Sequence, residues 1–142
     1  MEKKLLDYKD VENMSEEELK KVKEFSLIDY NVHIKTLAEN KDGQAFSHLV
    51  YIPSVFLKNI ETLECTLEYP LNEKHTFQIP LDKTDFGKMC LLDVDAILLA
   101  IANEYKMLWN EDKDLFWGHS WGELWIEELI LKGNVLNLSV GS

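Results

Sequence analysis

"LDVDAILLAIANEYKMLW", residues 92–109, is the stretch on which the fold turns. Val94, Ile97, Leu98, Ile101, Tyr105 and Leu108 recur with the 3.6-residue period, so a helix here lays one apolar stripe against a neighbouring layer. Asp93 stands where an N-cap side chain would accept from the first unpaired amides. Leu99, Ala100 and Met107 widen the stripe. A central helix follows, with Ile97, Leu98 and Ile101 fully buried against a sheet.

The flanking segments supply that sheet. "ETLECTLEY" (61–69) alternates, with Leu63, Cys65, Leu67 and Tyr69 facing inward, and "HTFQIPL" (75–81) follows after a turn at Pro70 and Asn72. Upstream, "DYNVHIKTL" (29–37) sets Tyr30, Val32 and Ile34 against Asn31, His33 and Lys35, which predicts a strand with one wet face. "ENKDGQ" (39–44) turns the chain at Gly43, and "AFSHLVYI" (45–52) gives another strand, ended by Pro53. An N-terminal helix starts at "MSEEELKKVKEF" (14–25). Ser15 and Glu18 form its capping box, and Leu19, Val22 and Phe25 its inward stripe. Beyond the long helix, "LWIEELIL", "KGN" and "VLNLSV" read as a closing hairpin. The expected class is α+β: an antiparallel β-meander with a C-terminal hairpin, packed on a long central helix and an N-terminal helix, in one domain over 1–142.

Composition narrows the function classes. Twenty-six acidic residues face fifteen basic ones, a net charge of −11, and every basic residue is lysine. Arginine, the bidentate grip for phosphate and base edges, is absent. Nucleic acid and anionic lipid both require cationic neutralisation, so neither is an expected partner. No apolar run reaches the length of a membrane span, the longest being "AILLAIA" (96–102), and the N-terminus lacks the apolar core of a signal peptide. A cytoplasmic location is expected, with Cys65 and Cys90 as buried reduced thiols.

One motif invites a chemical reading. "GHSWG" (118–122) matches G-x-S-x-G, the nucleophile elbow of α/β-hydrolases. That elbow needs a strand before its serine, a helix after it, and acid and histidine partners further on. Only 22 residues follow Ser120, without histidine or aspartate, and His119 is its immediate neighbour. His33, His48 and His75 all precede it. No enzyme is expected, and a small hydrolase using Ser120 is the minor alternative. Trp117, Trp121 and Trp125 repeat every four residues, which keeps them on one face of either a helix or a strand. With Trp109 they read as a core wall, one or two remaining exposed as interface anchors.

Metal and cofactor signatures are weak. His119 and Glu123 share a helical spacing but lack a third ligand. "NEDKD" (110–114) lacks the glycine and terminal glutamate of a calcium loop, and no glycine-rich phosphate loop is present. No metal and no cofactor is expected.

The tail "WGHSWGELWIEELILKGNVLNLSVGS" (117–142) resembles the C-terminal pattern of small bacterial proteins of the toxin-immunity type. That resemblance implies a protein that binds and neutralises a toxin. It agrees with a small acidic chain, since a basic toxin suits a carboxylate-rich inhibitor. The expected contacts are Trp117 and Trp121 with Glu111, Asp112, Asp114 and Glu123, extended by Glu127 and Glu128. The alternative is a homodimer or larger structural assembly joined through the aromatics.

Overall fold

The computed structural model describes residues 13–15, 17–18, 24–39 and 49–142. Nine strands are described: β1 (Phe25–Ser26), β2 (Val32–His33), β3 (Leu49–Pro53), β4 (Thr62–Leu67), β5 (His75–Pro80), β6 (Lys83–Phe86), β7 (Met89–Asp93), β8 (Trp125–Lys132) and β9 (Val135–Gly141). Three α-helices lie wholly within the described residues: α1 (Ile34–Ala38), α2 (Ser54–Leu57) and the long α3 (Val94–Glu111). The class is α+β, with the closing hairpin in place.

The strands divide between two sheets. One runs β1-β8-β9-β4-β5 with β2 also on β8; the other runs β3-β7-β6. The meander reading therefore holds for β4 and β5, whose register pairs Leu63 with Ile79 and Cys65 with Phe77. It does not extend to β3, which pairs with β7. β4 also runs parallel to β9, with Cys65 opposite Leu136. The β6–β7 hairpin had no signal, because "KTDF" does not alternate in polarity. Only its two-residue turn, with Gly87 at φ +75°, marks the spot.

α3 follows its pattern closely. The Asp93 carboxylate accepts from the Ala96 amide at 3.1 Å. Val94, Ile97, Leu98, Ile101, Tyr105 and Leu108 are all buried. Leu99 and Met107 are exposed, so the apolar face is narrower than the sequence suggests. Both sheets and α3 share one core that includes Leu63, Cys65, Leu92, Ile101 and Leu129.

Two further segments depart from expectation. "DYNVHIKTL" forms only the short β2 before coiling into α1. Ile34 continues the alternation of Tyr30 and Val32, but Leu37, three residues on, fits only the helical spacing, and His33 resolves the choice. Its side chain accepts from the Thr36 amide and caps the helix. Phe25, expected on a helix, lies in β1 opposite Leu131. Ser15 and Glu18 do exchange capping-box bonds, at 3.1 and 3.5 Å. Leu19, Val22, Gly43 and His48 lie outside the described residues.

In β8 the Glu127 position is a bulge: Ile126 pairs with Val140, but Glu128 pairs with Ser139. The extra residue resets the alternation, so Ile126, Leu129 and Leu131 all reach the core.

Both cysteines are buried and unpaired. Burial pushes the Cys65 thiol from 9.0 up to about 12, with the Glu104 charge adding to it. Burial likewise lifts Cys90 to about 11, against the pull of the Lys83 charge. The unfolded chain loses these protons first, so the thiols leave stability unchanged below pH 9.0 and erode it as pH rises through about 11 and about 12. Iodoacetamide at mildly alkaline pH should label neither thiol in the native protein, and both after denaturant. Rapid native labelling of either one would contradict its burial.

Candidate functional site

The segment from Glu111 to Trp125 is built from two short 3-10 turns rather than one regular element. Asp112 ends α3, its amide bonding the Leu108 carbonyl. Its carboxylate then accepts from the Asp114 amide at 3.0 Å, starting the turn Lys113–Phe116. Phe116 anchors that turn. It is fully buried, edge-on to Trp109 at 5.1 Å and tilted against Tyr105 at 6.2 Å. Trp117 then adopts a left-handed conformation (φ 52°, ψ 39°), and Gly118 continues at φ +77°. Two successive positive-φ residues reverse the chain and leave the Trp117 ring outside the core.

The second turn, Trp121–Glu123, carries a capping box. The Ser120 hydroxyl accepts from the Gly122 amide at 3.2 Å, and the Ser120 amide donates to the Glu123 carboxylate at 2.6 Å. α1 holds this turn in place. His33 Nε2 bonds the Gly122 carbonyl at 2.6 Å, while its Nδ1 faces the Thr36 hydroxyl at 2.5 Å. A Cβ added at Gly122 would meet the Lys35 Cδ at 3.1 Å.

The tryptophans accordingly do not share a face. Trp121 is core, 6% exposed, whereas Trp117 is 71% exposed and Trp125 is 43% exposed. Trp109 is partly buried, with the Lys113 ammonium 5.3 Å from its ring centre. The common-wall reading fails because neither regular period applies across Gly118–Gly122. Trp121 is thus a packing residue, not a contact available to a partner.

In the chain just before Trp117, Glu111, Asp112 and Asp114 are exposed at the end of α3 and on the first 3-10 turn. Glu123 is exposed as well but engaged, holding the Ser120 amide and lying 3.7 Å from His119 Nδ1. The sequence marks the β4–β5 turn at Pro70 and Asn72 but not its position beside this segment. The Asn72 amide donates to the Leu115 carbonyl at 2.9 Å, and the Tyr69 ring lies 5.5 Å from that of His119. Tyr69, expected inward, lies beyond the end of β4 and is exposed. Glu68 and Glu73 come with it, Glu68 bonded to Lys74 at 3.1 Å.

Ser120 does not sit on a strand–turn–helix elbow. Among the described residues no histidine bonds its hydroxyl, and His119 Nδ1 faces Glu123 instead. Ser120→Ala should behave as loss of a cap, costing about 0.5–2 kcal/mol. A fluorophosphonate probe should leave Ser120 unlabelled; labelling abolished by Ser120→Ala would reverse that assignment.

A second feature adjoins His33, the residue bonded to the Gly122 carbonyl. An open cavity of about 270 Å³ is lined by Tyr30, Val32, His33, Leu37, Leu98 and Trp125, among others. The His33 and Trp125 rings are 4.7 Å apart, set by their opposition in β2 and β8.

Among the described residues no three His, Cys, Asp or Glu side chains gather as a metal site, and no helix is long and apolar enough to cross a membrane. No protein-family model matches the chain, and no curated protein or solved structure is significantly similar to it.

Proposed function

We propose that this chain is an acidic binding protein, an immunity-type inhibitor that neutralises a basic protein toxin. The observation that carries the reading is Trp117, held out of the core by two positive-φ residues on a turn that buried Phe116 fixes. A large ring presented on a rigid support loses little entropy on binding, which is why tryptophan dominates interface hot spots. Glu111, Asp112 and Asp114 precede it, and exposed Tyr69 and Glu73 flank the same end. Such a carboxylate rim accelerates encounter with a cationic surface more than it deepens final affinity.

The test begins with capture from the native cell, followed by binding of the purified partner. Trp117→Ala should weaken binding at least about tenfold, mostly through faster dissociation, without lowering stability. Unchanged affinity would remove Trp117 from the interface. A homodimer whose formation ignores salt would favour the structural alternative.

A further inference from the structure

We propose that the cavity bounded by Tyr30, Val32, His33, Leu37, Leu98 and Trp125 receives one cationic side chain, a lysine or arginine, from the basic partner. Only the owner of that side chain rests on the function proposed above; the cavity's own chemistry does not.

Its walls are mainly apolar and aromatic, with Asn31 and Thr36 as the neutral polar members. Leu98 comes from α3, Leu37 from α1, and Trp125 from the first position of β8. Tyr30 and Trp125 are each more than two-fifths exposed, so their rings stand at the mouth and remain reachable. At about 270 Å³ the space falls below the usual range for drug-sized ligands and suits one long side chain. A methylene stem would lie along Val32, Leu37 and Leu98, while a cationic head would meet the faces of Tyr30 and Trp125.

Charge decides among possible occupants. The Tyr30 phenol is held above its ordinary value, first by burial and then by the fields of Asp95 and Asp29. Asp29 is the chain neighbour of Tyr30, and Asp95 lies one turn before Leu98 on α3, so two carboxylates stand beside a mainly apolar space. The nearest lysine on α1, Lys35, lays its stem on Gly122. His33 adds a ring face, since both its nitrogens are engaged by Gly122 and Thr36. An anionic or purely aliphatic occupant would forgo both the ring faces and the field.

The test uses small probes on the intact protein: n-butylguanidinium, pentanol and hexanoate, followed by NMR of methyl and indole resonances. n-Butylguanidinium should shift the Leu37 and Leu98 methyls and the Trp125 indole saturably, and hexanoate should not. Trp125→Leu keeps the wall apolar but removes the π face, so it should weaken the guanidinium roughly five- to thirtyfold and spare pentanol. Asp29→Asn, at an exposed position, should weaken it further and reduce its salt dependence. Unchanged thermal melting will show that both variants fold. Equal binding of hexanoate, or no saturable shift, overturns the assignment; so does a cavity already filled by another part of the chain or by a second copy. Saturable guanidinium binding without any basic protein partner upholds the cavity and defeats the partner reading. A partner that binds Trp125→Leu undiminished, with no probe binding, does the reverse.

Discussion

Phe116→Ala should lower the unfolding free energy by about 3–5 kcal/mol, the range for removing a buried aromatic ring. The residue is fully buried, and its ring is the one contact by which the Lys113–Phe116 turn meets both Trp109 and Tyr105. Its loss leaves a cavity between α3 and that turn. The turn's remaining hold is lighter: half-buried Leu115, the Lys113 ammonium over Trp109, the Asp112 cap and the bond from Asn72 to Leu115. These bonds lie near the surface, where water competes for the same groups, so they cannot replace the ring. The same substitution should cost partner binding beyond its effect on folding, because Trp117 loses its support. Urea denaturation checks the first effect; a loss under about 1 kcal/mol would show that the ring is not the anchor.

A second large effect is expected at Ile101. Its side chain is fully buried in the core, and Ile101→Ala should cost about 3–5 kcal/mol. Leu98→Ala offers an internal contrast. Leu98 is buried too, but it also lines the open cavity, so the space its deletion creates can be reached by solvent. About 2–3 kcal/mol is expected there, since the penalty depends on the void left behind. A larger loss at Leu98 than at Ile101 would mean that the inner face of α3 is turned differently.

These residues also show why part of the molecule was legible in the sequence. α3, β4 and β5 carry clean periods, and local punctuation marks the rest: Asp93 caps α3 and Gly133 sits in the β8–β9 turn. The β4–β9 parallel pair joins residues some 70 positions apart by backbone bonds, which leave no mark on side-chain pattern. The β8 bulge at Glu127 shifts register without changing composition. At the candidate site the acidic turn was legible, yet the four-residue tryptophan spacing misled. Trp117 and Gly118 break any regular period, and only the three-dimensional path separates buried Trp121 from exposed Trp117. Tyr69 and Tyr30 were hidden for a related reason: each continues an alternation one step past the end of its element.

The most direct test of the proposed function is the association rate of the chain with its purified basic partner as a function of salt. Attraction between a −11 chain and a cationic surface should make that rate fall at least about tenfold from roughly 0.05 to 0.5 M salt. Charge reversal at Glu111 and Asp114, sparing the Asp112 cap, should flatten the dependence and leave dissociation nearly unchanged. An association rate indifferent to salt, with the reversed variant binding as fast as the native chain, would contradict the account.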